Sequence, residues 1–160
     1  MAYKSRPIAS KLNELVVDLC LHYDLASFAD MNPSEQVLAG TWELASEVQN
    51  GGFMQYFHNS SRQRAEPMIA VLRSIDAPGA ADILESAMAL AGPGTPWGDE
   101  PNFLVAIKLI PADTRRQLSE LERKLYDDLD NVHLLVFRYL SKHRDQIDAP
   151  EEFWKEATLQ

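Results

Sequence analysis

Apolar residues recur at three- and four-residue steps along most of the chain, which is the period of amphipathic helices with one buried face. No stretch shows the strict alternation of a half-buried strand, and no internal repeat or linker divides the sequence. The pattern predicts an all-α fold, an irregular single-domain bundle of about six to eight helices over residues 1–160. Its core is expected within about residues 8–145.

The first helix is predicted over residues 8–28, where one face carries Leu12, Leu15, Val16, Leu19 and Tyr23. The second opens at "MNPSEQVL", in which Asn32 can cap the first turn and Glu35 completes a capping box. It ends at "NGG", because Gly51 and Gly52 can adopt the left-handed conformation that terminates a helix without steric cost. A short helix is predicted to follow in "FMQYFHNS".

Further along the chain, "EPMIAVLRSID" and "GAADILESAMALA" predict two helices around the turn "APG". Residues 92–102, "GPGTPWGDEPN", hold three prolines and three glycines and are predicted to form the one long loop. Two more helices are predicted in "PADTRRQLSELERKLYDDLD" and "NVHLLVFRYLSKH", with Asp130 or Asn131 capping the second. Residues 149–158 are predicted to add a C-terminal turn or short helix.

Charge narrows the class of partner. The chain has 24 acidic and 15 basic residues and a net charge of −9. Because such a surface repels phosphates and anionic lipid heads, we expect neither direct nucleic-acid binding nor membrane binding, and a basic protein partner fits best. The single cysteine, Cys20, excludes an internal disulfide, and no apolar run approaches the ~20 residues that cross a bilayer. We therefore expect a cytoplasmic protein.

The acidic residues are unevenly distributed. Between Lys11 and Arg62 the chain has seven acids and no lysine or arginine. Two pairs of these acids stand four residues apart on predicted helices, away from the apolar stripe, and we expect both pairs to face water. The pairs are Glu14 with Asp18, and Glu43 with Glu47. The predicted partner-binding acidic surface consists of Glu14, Asp18, Glu35, Glu43 and Glu47.

No motif for catalysis or metal binding is recognisable. The four histidines and the one cysteine lack zinc-type spacing, and there is no phosphate loop or nucleophile elbow. The densest carboxylate cluster is Asp127, Asp128 and Asp130. Arg123 and Lys124 precede two of these acids by four residues, which favours a solvated helix face over a magnesium site. We assign no catalytic, no cofactor-binding and no metal-binding residues, and we expect no cofactor.

The stretch "EVQNGGFMQYFHNSS" combines glycines, aromatics and amides. On a helix Phe53, Tyr56 and Phe57 share one face, which is typical of a core anchor. Gln55 and Asn59 share another face and can bond free backbone groups at the adjoining helix ends. His58 has no acid or cysteine at a suitable spacing, and this is more typical of a packed or surface histidine than of a catalytic base.

The same stretch closely resembles the signature of a bacterial domain family that is named after an acidic DNA-mimic protein. The similarity extends over roughly residues 10–143, through "AVLRSIDAPGAADILESAMAL" and "LERKLYDDLDNVHLLVFRYLSKH". One departure is "NSSRQR", where members often carry a glycine after the asparagine and serine. The residues that match the signature are Asn50, Gly51, Gly52, Phe53, Gln55, Tyr56, Phe57 and Asn59.

The resemblance implies an all-helical fold without a known cofactor or catalytic residue, and a motif that defines the fold. For the namesake it implies a negative surface that imitates DNA and occupies a DNA-binding protein. Our hypothesis is an acidic, non-enzymatic protein-binding module, a DNA mimic for a basic DNA-binding protein such as a transcription regulator. Four residues of helix advance about 6 Å, whereas a DNA strand carries a phosphate per ~3.4 Å. Two neighbouring helices, or a homodimer, would therefore be needed.

Two alternatives stay open. One is an enzyme of unknown substrate, with a site near His58, Gln55 and the loop around Trp97. The other is an immunity-type or antitoxin-type inhibitor unrelated to DNA. An open pocket with His58 beside a carboxylate would favour the enzyme. Buried, hydrogen-bonded Asn50 and Gln55, together with acids that stay exposed at positions 43 and 47, would favour a binding module.

Overall fold

The computed structural model of the chain describes residues 6–22, 25–60, 62–92, 105 and 109–155. Within these residues it contains six α-helices, two 3₁₀ segments and no strand, and the predicted all-α class is confirmed. The elements are α1 (Arg6–His22), a 3₁₀ segment (Leu25–Asp30), α2 (Pro33–Asn59), α3 (Arg62–Ser74), α4 (Pro78–Ala91), α5 (Ala112–Lys142), a second 3₁₀ segment (Arg144–Gln146) and α6 (Glu151–Lys155). The loop predicted at 92–102 lies, beyond Gly92, outside the described residues.

Helix α5 is the central element, since α1, α2 and α4 all pack against it, while α3 packs between α2 and α4. Its buried side chains recur at helical spacing and turn one continuous apolar face to the core. They are Leu118, Leu125, Leu129, Val132, Val136, Phe137 and Leu140. Burial of each large apolar side chain contributes about 1.5–3 kcal/mol to folding, so this face orients the other helices.

Two predicted helix boundaries are wrong. The first helix ends at His22, and the 3₁₀ segment Leu25–Asp30 occupies the end of the range predicted for it. The two helices predicted before and after Asp130 are one helix, and Asp130 and Asn131 lie exposed inside it rather than at a cap. The physical reason is that the apolar stripe continues in register across these two polar residues, so burial favours continuation of the helix.

The predicted start of α2 is confirmed. The Asn32 side chain accepts the Glu35 backbone N–H at 3.0 Å, and the Glu35 carboxylate accepts the Asn32 backbone N–H at 2.9 Å. This reciprocal capping box satisfies two donors that the first turn leaves free. The Asn32 amide also donates to the carbonyl oxygen of Gln146 at 2.7 Å, so the cap ties the C-terminal segment to the beginning of α2.

Helix α2 is broken by a sharp turn at its two central glycines, which we call the reversal. Gly51 (φ −152°, ψ 19°) and Gly52 (φ 76°, ψ −176°) leave the helical region. In a straight helix the twelve residues from Glu47 to Asn59 would advance about 18 Å, too far for two side chains to bridge. Instead the Asn59 amide donates to the Glu47 carboxylate at 2.7 Å. The helix therefore consists of a long arm, residues 33–50, and a short arm, residues 53–59, as the "NGG" stop predicts.

The C-terminal segment packs back onto the bundle. Phe153 and Trp154 are buried, and their rings lie 5.4 and 6.1 Å from the ring of Phe137 in α5. The Arg144 guanidinium lies 4.8 Å from the Trp154 ring, in a cation–π contact. Burial of these two aromatic side chains explains why the short helix predicted within 149–158 packs against the bundle.

Replacement of Phe53 or Phe57 by alanine is expected to lower the free energy of unfolding by about 3–5 kcal/mol, because both rings are fully buried and truncation leaves a cavity. Chemical denaturation measures the change. Gln49→Ala, at an exposed position of the long arm, is the matched control and should change stability by less than about 0.5 kcal/mol. Unchanged stability in both phenylalanine variants would contradict this packing.

Candidate functional site

The signature residues form the reversal of α2, and α5 supplies the groups that close it. The backbone N–H of Phe53, the first residue of the short arm, donates to the Glu122 carboxylate at 2.9 Å. The Val48 carbonyl, near the end of the long arm, accepts the Tyr126 hydroxyl at 2.6 Å. Such groups have no intrahelical partner at a helix end. Because Glu122 and Tyr126 stand one turn apart on α5, one helix face satisfies both sides of the reversal.

Gly52 is required at the reversal for two independent reasons. Its φ of 76° with ψ of −176° belongs to a region that is almost restricted to glycine. A Cβ atom there would also lie within 2.8 Å of the Glu122 carboxylate carbon. At Gly51 a Cβ would lie 2.8 Å from the Gln55 Cβ, because the Gln55 side chain lies directly over this glycine. The two glycines let the Glu122 carboxylate and the Gln55 amide approach the turn.

The two amides of the signature bind a side chain rather than the backbone groups that the sequence suggested. Gln55 donates to the Glu47 carboxylate at 2.8 Å, and Asn59 donates to the same oxygen at 2.7 Å. Glu47 is half-buried in the long arm, so this carboxylate holds the two arms together. Asn50 is exposed at the turn. The pattern predicted for a binding module is therefore found only in part, since Gln55 is hydrogen-bonded but half-buried and Asn50 is not buried.

The aromatic residues of the short arm lie in the core. Phe53, Tyr56 and Phe57 are fully buried. The Phe57 ring lies 5.7 Å from that of Phe53 and 5.9 Å from that of Tyr56, distances typical of favourable aromatic pairs. These rings anchor the short arm, and the reversal sets the angle at which they enter the core.

Glu43 does not face water, and this prediction is wrong. It is only 6% exposed and forms an ion pair with Arg64 of α3 at 2.8 Å. Burial raises the pKa of the Glu43 carboxyl, the Arg64 guanidinium and the Ser60 hydroxyl oppose this rise, and the Glu47 charge adds to it. The helical wheel failed here because the reversal folds the short arm and α3 over a face that a single helix would leave to solvent.

The other predicted partner-binding acids have different positions. Glu14 is exposed on α1, whereas Glu35 is half-buried in the capping box. Glu47 is half-buried and accepts from its two amides, so it faces water only in part. The side chain of Asp18 lies outside the described residues. Hence these five acids do not form one continuous solvent-facing strip.

Another acidic surface forms where the C-terminal segment meets the start of α2. The Gln146 side chain accepts the hydroxyl of Ser34 at 3.1 Å, and its carbonyl accepts the Asn32 amide, so the second 3₁₀ segment contacts this end of α2. We call this surface the C-terminal acidic face. Its exposed members are Asp30, Asp145, Asp148, Glu151 and Glu152. Sequence analysis missed it because its two parts are more than 100 residues apart in the chain.

Three exposed acids elsewhere are contacted by basic groups. Arg73 contacts both Asp82 at 3.5 Å and Glu85 at 3.0 Å, and Asp113 pairs with Arg116. Hydrogen bonds from Arg116 and then Gln117 lower the pKa of Asp113. Asp113 is thus partly neutralised within its own helix, and Asp82 and Glu85 are partly neutralised by Arg73 of the preceding helix, α3.

The residues named for the enzyme hypothesis do not meet as one described site. Gln55 is engaged by Glu47, His58 is half-buried, and Trp97 lies outside the described residues. Over the described part of the chain, no three histidine, cysteine or acidic side chains come together in a way that could hold a metal ion. No described helix combines the length and the apolar character that crossing a bilayer requires.

Substitution of Gly52 by alanine should destabilise the protein by about 1–3 kcal/mol through backbone strain, before any displacement of Glu122 is added. Gly79→Ala in α4 is the matched control. The nearest atom to a Cβ added at Gly79 lies 3.9 Å away, which is an ordinary van der Waals distance. That change should be neutral or stabilising by up to about 1 kcal/mol, because alanine favours helices. Equal denaturation midpoints for the two variants would refute the demand for glycine at the reversal.

Tyr126→Phe should lower stability by about 1–3 kcal/mol, because it leaves the buried Val48 carbonyl without this donor. Tyr126 is 40% exposed, and the substitution removes only the hydroxyl, so little packing changes. The comparison variant is Tyr139→Phe on the same helix, for which less than about 0.5 kcal/mol is expected. Thermal or chemical denaturation of both variants decides the point. A neutral Tyr126→Phe would show that the hydroxyl does not hold the long arm.

Comparison with known proteins identifies one family. The family model described as DMP19-like protein matches residues 29–143, a range that includes all of α2 and its partners Glu122 and Tyr126 on α5. Neither the curated proteins nor the solved structures give a significant match. Because the family model covers well over half of the chain, the chain belongs to the DMP19-like protein family.

Proposed function

We propose that the protein is a non-enzymatic DNA mimic that occupies the DNA-binding surface of a basic cytoplasmic protein, such as a transcription regulator. Membership of a family named for a DNA mimic protein carries this proposal. The net charge of −9 supports it, since a partner evolved to bind phosphates attracts a carboxylate surface. The signature residues build the reversal of α2, so the partner would be bound by another surface.

The C-terminal acidic face is our candidate for that surface. Within the described part of the chain, none of its five carboxylates forms an ion pair. Arg144, the residue before Asp145, lies over the Trp154 ring. The residues of the face come from the first 3₁₀ segment, the segment after α5 and the start of α6. A single helix is too sparse in charge to imitate a DNA strand, and this face uses more than one element. Residues 145–152 follow the family-matched range, so most of this face would be particular to the chain.

The double variant Asp145→Asn with Asp148→Asn should bind the partner roughly 2- to 30-fold more weakly, because each exposed charge pair contributes about 0.2–1 kcal/mol. The matched control is Asp82→Asn with Glu85→Gln, which removes the same number of exposed charges from acids already contacted by Arg73. The control should lose much less affinity. An equal loss in the two variants would mean that only net charge matters and would reject the proposed face.

The mimicry itself is tested by competition. Proteins captured at low salt on the immobilised chain are eluted with a salt step, and a captured protein that binds DNA is purified. Its complex with labelled duplex DNA is then titrated with this protein at several salt concentrations. We expect displacement of the DNA, with an affinity that falls steeply as salt rises, and no binding of this protein to the DNA. A ternary complex of DNA, partner and this protein would contradict mimicry.

A further inference from the structure

We propose that Gln146 is the positioning residue of the C-terminal acidic face. It fastens the C-terminal segment, residues 144–154, to the first turn of α2 by two hydrogen bonds, which we call the Gln146 attachment. The partner meets an assembled acidic surface only while this attachment holds. The identity of the partner, a basic DNA-binding protein, rests on the proposed function, whereas the attachment is a property of the chain alone.

Both oxygens of Gln146 are bonded to the beginning of α2. Its backbone carbonyl accepts the Asn32 amide at 2.7 Å, and its side-chain oxygen accepts the Ser34 hydroxyl at 3.1 Å. The oxygen of the Asn32 amide accepts the Glu35 backbone N–H at the same time, so the orientation of this amide is fixed from both sides. Ser34 is fully buried, and a buried hydroxyl that loses its acceptor costs free energy. Two bonds to one capped helix end therefore set where Gln146 lies.

The acids of the segment alternate with the residues that anchor it. Along "DQIDAPEEFW" the exposed acids Asp145 and Asp148 enclose half-buried Gln146 and buried Ile147. The next two acids directly precede the aromatic pair that packs on Phe137. Burial of apolar rings is not directional, whereas the hydrogen bonds of Gln146 require a defined geometry. Gln146 therefore determines where Asp145 and Asp148 lie relative to α2.

The other part of the face is held independently of Gln146. Asp30 lies in the first 3₁₀ segment, and the Gln36 side chain of α2 holds this segment by donating to the Phe28 carbonyl at 3.0 Å. Because the cap of α2 bonds Gln146, the two groups of acids meet at the same end of α2. Without the attachment Asp30 keeps its place, and the acids within 145–148 lose their position relative to it.

Assembly of the face gathers negative charge that the segment does not neutralise. Within the described residues none of its carboxylates forms an ion pair, and Arg144 is engaged by the Trp154 ring. Like charges that are brought together repel, so a cationic partner removes an electrostatic force that opposes the attachment. By linkage, a partner that binds the attached state more tightly favours attachment, and attachment raises the affinity for the partner by the same factor. Gln146 thereby contributes to binding without carrying a charge.

Backbone order in the free protein tests the attachment. Nitrogen relaxation is measured for the wild type and for Gln146→Met and Ser34→Ala, which remove the acceptor and the donor of one bond without changing the charge. In both variants the order parameters of residues 145–149 should fall from about 0.85 towards the flexible range below about 0.6, while those of α5 stay as in the wild type. The double variant should fall no further than either single variant, because both remove the same bond.

Gln49→Met, at an exposed position of the long arm, is the matched control and should leave residues 145–149 as ordered as in the wild type. Wild-type order of these residues in both single variants would overturn the proposal. If one variant does not fold, the other decides, since each removes the same bond from the opposite side.

Binding kinetics test whether the partner uses the attachment. The probe is the DNA-binding protein purified for the competition experiment, immobilised and followed by surface plasmon resonance. Gln146→Met keeps every charge, so its association rate and the salt dependence of that rate should match those of the wild type. Its dissociation rate should rise roughly 2- to 10-fold, the effect of one lost hydrogen bond.

The outcomes separate the attachment from the mimicry. If the wild type displaces DNA and Gln146→Met dissociates at the wild-type rate, mimicry stands and the positioning role of Gln146 is overturned. If the wild type forms a ternary complex with DNA and the partner, mimicry is rejected, and the order parameters of residues 145–149 still decide the attachment.

Discussion

The fold depends on the reversal at Gly51 and Gly52, which α5 holds through Glu122 and Tyr126. A helix broken inside a bundle leaves backbone donors and acceptors away from water, at about 1–3 kcal/mol for each unsatisfied group. The Glu122 carboxylate accepts the free backbone N–H of Phe53, and the Tyr126 hydroxyl donates to the free Val48 carbonyl. Once the short arm turns back, its aromatic rings enter the core and its amides reach Glu47. The ion pair of Glu43 with Arg64 forms at the far end of the same reversal.

This arrangement separates the family signature from the surface that would meet a partner. The signature amides are bound to Glu47, its rings are buried, and its glycines admit the Glu122 carboxylate and the Gln55 side chain. These residues build the turn. Exposed carboxylates lie on other elements, among them the C-terminal segment that bonds to the cap of α2. The residues of the turn can therefore stay the same while the exposed charged residues change.

Local signals predicted much of the fold, since they act within a few residues. The capping box at Asn32, the glycine stop and the aromatic spacing at Phe53 each lie in a short window. Interactions between distant segments were not predictable in the same way. Nothing near Glu122 indicates that it caps a turn 69 residues earlier in the chain. The buried position of Glu43 was missed for the same reason, because a helical wheel does not include the helices that fold over it.

The most direct test of this account is hydrogen exchange at the backbone amide of Phe53. The first amide of a helix normally exchanges quickly, because no carbonyl in the helix accepts from it. If Glu122 accepts this donor inside the bundle, the Phe53 amide should be strongly protected in the wild type, and Glu122→Ala should abolish the protection. Rapid exchange of this amide in the folded wild-type protein would contradict the claim that α5 holds the reversal.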